Sequence, residues 1–165
     1  MGRLWVLLLA APLCVGLPPA TAARGAEGPP EGVELPAETP DEFFAAGFLK
    51  HMAGELDEAI VECEKAIQID PDYGNPWNDI GSYLLAKGDL DRAIPYLKRA
   101  TEARRYCCPQ FPHLNLGGIY AEQRRYREAK REFERVLELV PGHLPAIMAL
   151  KQIEALLAHE APERI

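Results

Sequence analysis

The stretch WNDIGSYLLAKGDLDRAI, residues 77–94, decides how the rest of the chain is read. Gly81 and Ala93 stand twelve positions apart in it, and Gly88-Asp89 divides it into two short segments of helical periodicity. The same frame recurs on both sides. FFAAGFLKHMAGELDEAI at 43–60 carries Gly47 and Ala59, and HLNLGGIYAEQRRYREAK at 113–130 carries Gly117 and Ala129, each pair again twelve apart. A fixed internal period near this length means stacked units.

Each unit reads as two short antiparallel helices. The Gly and the Ala sit where the helices approach most closely, since a larger side chain would push them apart. Around them lie the packing positions: Phe43, Trp77 and His113 early in the first helices, Leu56, Leu90 and Tyr126 at the entry to the second, then Cys63, Leu97 and Phe133. Gly54 and Gly88 fall at the bend, where a left-handed residue ends the first helix, and Asp89 suits an N-cap. Thr39-Pro40-Asp41-Glu42 is a capping box with proline at the first helical position. Asn75-Pro76 reads as the same device. Lys50 and Arg124 depart from the frame, Arg124 replacing the bend glycine, and Pro95 is expected to kink the second helix of the middle unit.

This pattern resembles the tetratricopeptide repeat family, most fully in Trp77, Gly81, Gly88 and Ala93. The resemblance implies an all-α fold: an α-solenoid of stacked antiparallel helix pairs wound as a right-handed superhelix. Repeats are expected at 40–73, 74–109 and 110–143, a capping helix at 144–158 and a tail at 159–165. It also implies a concave trough lined by the first helices, binding a protein or peptide partner. The expected lining is Phe44 and Phe48, with His51 deeper, then Asn75, Asn78, Asp79 and Ser82, then Leu114, Asn115 and Gly118, and finally Met148 and Gln152. Phe44 and Phe48 are expected to be exposed, one turn apart. Asn78 and Asn115 would hold a ligand backbone through paired amide bonds or hydrogen-bond within the array. The lining has no lysine or arginine, which argues against a clamp for a C-terminal carboxylate.

Ala59 to Gly81 is 22 residues and Ala93 to Gly117 is 24, so the second joint carries two extra residues. They are placed in RRYCCPQFP, 104–112, as an elongated turn. Cys107, Cys108 and His113 leave three readings there: a structural turn, a disulfide, or a thiol or metal site short of a fourth ligand. Cys63 reads as a buried apolar residue and His113 as a packed, hydrogen-bonded one.

Residues 1–22 pair Arg3 with a short apolar run and end in Ala20-Thr21-Ala22. They read as a signal peptide cleaved after Ala22, the alternative being an uncleaved N-terminal anchor, so the protein is expected to be exported, periplasmic or secreted, with no membrane span after removal. Residues 23–38 read as a flexible Pro/Gly/Glu linker. The net charge of −7 argues against nucleic-acid binding. That charge is uneven: 40–73 carries nine acidic and two basic residues, net −7, and 74–143 nine acidic and twelve basic, net +3. Head-to-tail self-association is one consequence open to such a dipole. On the outer helix of the third unit, Glu128 and Glu132 are expected opposite Arg124 and Arg131. No nucleophile–base pair, phosphate loop or metal-ligand run occurs, so neither catalysis nor a cofactor is expected. The expected role is a binding scaffold of the cell envelope, or an accessory factor for pilus, secretion, outer-membrane or cytochrome assembly.

Overall fold

A computed structural model describes residues 39–160. The expected signal peptide at 1–22, the expected linker at 23–38 and most of the expected tail lie outside the described residues. Seven α-helices occur among those described: α1 (Pro40–Met52), α2 (Leu56–Ile69), α3 (Gly74–Ala86), α4 (Leu90–Glu102), α5 (Gln110–Glu122), α6 (Tyr126–Leu139) and α7 (Leu144–Glu160). They form three antiparallel hairpins stacked side by side, closed by α7 against α6. The fold is an all-α helical-repeat solenoid. Its one β feature among the described residues is an isolated bridge, Tyr73 with Arg105.

The small residues perform the packing role expected of them. Ala59, Ala93 and Ala129 are fully buried. A Cβ placed on Gly81 would lie 2.5 Å from Leu97, and one on Gly117 would lie 2.7 Å from the Phe133 ring. Gly47 is looser, at 3.0 Å from Cys63 Sγ and 3.1 Å from the Ala59 carbonyl. Cys63, Leu97 and Phe133 are thus the side chains for which the glycines make room, and each is buried. Gly54 and Gly88 turn the chain at φ 81° and 80°; Arg124 takes the same left-handed shape at φ 58°.

Thr39 opens α1 by the capping box, its N–H donating to Glu42 at 2.7 Å. Asp89 caps α4 by accepting from the Arg92 N–H. The Asn75-Pro76 expectation is corrected. Helix α3 begins at Gly74 with Tyr73 at its N-cap, so Asn75 and Pro76 lie inside the first turn. Proline is tolerated there because first-turn N–H groups have no intrahelical acceptor. The earlier start has a tertiary cause. The Gly74 N–H donates to the Arg105 carbonyl at 2.9 Å, and the Arg105 N–H to the Asp72 carbonyl at 3.0 Å. The segment after α4 therefore folds back on the preceding joint, and Tyr106 covers Gly74 so closely that a Cβ would meet it at 2.5 Å. Helix α4 continues through Pro95.

The outer charges pair differently from expectation. Arg125, not Arg124 or Arg131, bonds Glu128 through two nitrogens. Glu132 turns inward to His113 Nδ1 at 2.8 Å. Arg124 is committed to the bend, and His113 needs a polar partner in its half-buried seat.

Candidate functional site: the inner face of the stack

The first helices touch one another, α1 with α3 and α3 with α5, whereas contacts between successive second helices are sparser. This sets α1, α3 and α5 on the inner side. The structure divides the expected lining into two groups. Phe44, Phe48, His51, Asn75 and Ser82 are half-buried, and Met148 and Gln152 are exposed. Asn78, Asp79, Leu114 and Asn115 are between 1% and 7% exposed, and Gly118 is buried too. These five are buried rather than open to the trough, and Asn78 and Asn115 meet in the seam where α5 rests on α3. The inner side of a curved stack has the least room, so positions beside the groove are squeezed between helices.

A polar chain runs along that seam. Asn115 Nδ2 on α5 donates to Ser82 Oγ at 3.2 Å and lies 3.4 Å from Asn78 Oδ1 on α3. Asn78 Nδ2 donates to Asp79 Oδ1 at 3.3 Å, and Ser82 Oγ to the Asn78 carbonyl at 3.0 Å. The asparagines satisfy each other within the array. Burial pushes the Asp79 carboxyl up to about 7, although Asn78 and Tyr83 pull it back down. The Tyr83 hydroxyl stands beside Asp79 without a well-formed hydrogen bond. Burial, reinforced by the Asp79 charge, raises the Tyr83 phenol in turn. His51 of α1 stacks on the Tyr83 ring at 4.8 Å.

The phenylalanine expectation is also corrected: Phe44 is not free but meets Tyr73 edge-on at 5.4 Å. Arg105 lies over the other side of Tyr73 at 4.3 Å and pairs with Asp70 at 3.1 Å. Burial and the nearby Asp41 carboxylate raise the Tyr73 phenol. The elongated joint thus stiffens the rim of the inner face beside Phe44. Sequence reading missed Tyr73, Tyr83 and Arg105 here. The one available signal was Tyr83, two positions after the crossing glycine.

The grouping of Cys107, Cys108 and His113 does not form. His113 points at Glu132, whereas Cys107 is exposed with its sulfur 2.9 Å from that of Cys108 and 3.9 Å from Asn75 Oδ1. Cys63 is buried, which raises its thiol well above the ordinary value. Among the described residues, no group of three or more His, Cys, Asp or Glu side chains is arranged to hold a metal ion. None of the described helices is long and apolar enough to cross a membrane.

Two tetratricopeptide repeat models match, one over residues 51–111 and one over 111–143. The chain belongs to the tetratricopeptide repeat family. Among known proteins, the array is 23% identical over 121 residues to mouse Superkiller complex protein 3, covering 72% of this chain and 8% of that protein. It is 30% identical over 101 residues to the UDP-N-acetylglucosamine--peptide N-acetylglucosaminyltransferase of Giardia intestinalis, covering 58% of this chain and 6% of that enzyme. The chain therefore spans less than a tenth of these relatives. Among solved structures, the first tetratricopeptide domain of Spaghetti (RPAP3), bound to the HSP90 peptide SRMEEVD, matches with a TM-score of 0.66 at 24% identity, covering 73% of this chain and 96% of that one. MamA matches with a TM-score of 0.65 at 18% identity, covering 72% and 68%. These likenesses are of fold.

Proposed function

We propose that this tetratricopeptide array is a non-catalytic interaction scaffold that receives a peptide or helix of another protein along its inner face. One observation carries the reading: Phe48 on α1 stays half-buried and Met148 on α7 is 62% exposed, so apolar surface remains open at both ends of the described inner face. Apolar side chains left open on a concave wall mark a contact surface. The peptide held by the similar Spaghetti domain supports the same class of ligand. The buried asparagines and Asp79 fix the wall, and the partner meets the side chains around them.

The cellular setting is part of the proposal. The signal-peptide reading of residues 1–22 supports export to the periplasm or beyond, and so a scaffold or accessory assembly factor of the cell envelope. Fractionation with sequencing of the mature N-terminus tests this; a full-length protein retained in the cytoplasm would refute it. For the groove, partner recovery from envelope extract by cross-linking is compared between wild type, Phe48→Asp and Met148→Asp. Both changes are expected to reduce recovery about tenfold with thermal unfolding little altered. Equal recovery by both folded variants would remove the inner face as the binding surface.

A further inference from the structure

On α1, the first of the described helices, one stripe is open that is covered on its counterparts. In the repeat frame, Glu42, Ala45 and Leu49 on α1 correspond to Pro76, Asp79 and Tyr83 on α3, and to Pro112, Asn115 and Ile119 on α5. The matching residues on α7 are Ala146, Ala149 and Ile153. Positions three and four apart form one stripe on a helix. In the later helices the preceding hairpin covers that stripe: Tyr83 and Ile119 are 1% exposed and Ile153 is fully buried. Leu49 is 68% exposed, and Met52 beside it is equally open. The carboxyl-terminal end is finished differently. Lys151 on α7 stands where Gly47, Gly81 and Gly117 admit their partner helices, so α7 presents a charge to solvent there.

The uncovered face lies in a negative field. Residues 40–73 carry nine acidic and two basic residues, net −7. Lys87, Arg105 and Arg104 of the next unit answer Asp57, Asp70 and Asp72, whereas Glu42 and Glu58 have no basic partner among the described residues, and both lysines of the first unit are already engaged. Lys50 pairs with Glu55 at 2.5 Å and Lys65 with Glu62 at 2.8 Å. Glu55 bonds the Lys50 ammonium next to Leu49 and holds it above its ordinary value, with smaller contributions from the Glu58 and Glu62 charges. The chain before α1 is a poor cover, since residues 1–38 hold four acidic and two basic residues, net −2. A second copy meeting the same face would set like charge against like.

We propose that Glu42, Ala45, Leu49 and Met52 form a docking face for a cationic amphipathic helix of a partner protein. The helix lies across α1 as the second helix of a preceding hairpin lies across α3 and α5. Its apolar stripe covers Leu49 and Met52, and its lysines or arginines answer Glu42, Glu55 and Glu58. This face is at the end of the stack, outside the inner groove, and stands whether or not the groove binds.

The test is an NMR titration of isotope-labelled full chain with an amphipathic leucine–lysine peptide of about 15 residues. A peptide with glutamate in place of lysine is the control. The lysine peptide is expected to bind with amide shifts centred on Ala45, Leu49 and Met52, and to weaken about tenfold when salt is raised from low to physiological strength. Leu49→Gln, at an exposed site, is expected to leave unfolding unchanged and to lower affinity about tenfold. Equal binding of the glutamate peptide would overturn the proposal. So would shifts spread over the acidic surface of α2 with Leu49→Gln unaffected, or a Leu49-dependent dimer in sedimentation.

Discussion

Gly47 and Gly81 hold the same place in successive hairpins, yet one faces a thiol and the other a leucine. A Cβ on Gly81 would strike the branch of fully buried Leu97 at 2.5 Å, whereas at Gly47 the nearest atom is Cys63 Sγ at 3.0 Å. The linings differ too: the first hairpin presents Phe44 and Phe48 inward, the second Asn78, Asp79 and Ser82. The second hairpin has neighbours on both sides, so its inner residues become seam. Among the described helices the first hairpin has a neighbouring hairpin on one side, and its Phe44 and Phe48 stay half-buried. One sequence frame gives sealed polar residues in the middle and half-open apolar ones at the end.

The largest expected effect tests this contrast directly. Gly81→Ala and Gly117→Ala should each lose about 3 kcal/mol in denaturant unfolding, because Leu97 and Phe133 have nowhere to move. Gly47→Ala should lose less than about 1 kcal/mol, since helix propensity offsets a contact that needs only a few tenths of an ångström. Equal losses would break the comparison.

Next is the buried carboxyl of the second hairpin. Asp79 is raised to about 7 from an ordinary value of 3.8, so the native state holds its proton more tightly than the unfolded state does. Stability from this group is therefore fullest below about pH 4, falls as pH rises toward 7, and is flat beyond. The titratable groups that feel it are Tyr83, Cys63, Tyr106 and Tyr73, and all four are raised, mainly by burial, so they stay neutral across that window. Asp79→Asn should abolish the decline and stabilise the protein at pH 8 by about 2 kcal/mol. An unchanged pH profile would show that Asp79 is hydrated rather than sealed in the seam.

The smallest effect compares the bends. Arg124 sits at φ 58° where Gly54 and Gly88 hold the same turn without a side chain. Arg124→Gly should raise stability by about 0.5 kcal/mol, the relief of left-handed strain being partly offset by a more flexible unfolded chain. A loss in thermal unfolding would mean that the Arg124 side chain contributes more than its backbone costs.

Much of the scaffold was legible before any coordinates. The capping box at Thr39, the left-handed Gly54 and Gly88 and the paired Gly and Ala crossings depend on local backbone chemistry and on one contact per unit. The errors share a cause. Asn75 as a cap, Asn115 as a ligand donor rather than a bond within the array, and Glu132 opposite a surface arginine each rest on positions within one helix. Their partners come from elsewhere: Arg105 fixes where α3 begins, Ser82 meets Asn115 from the neighbouring first helix, and Glu132 is drawn in by His113.

The sequence alone determined the hairpin unit, its repetition and its sites of close approach, because helix periodicity and the absence of a side chain act within a few turns of chain. Tertiary structure alone decided which polar residues are sealed in the seam and which apolar ones stay open. That depends on how tightly the first helices crowd along the inner curve and on Leu49 standing 68% exposed on α1, the first described helix.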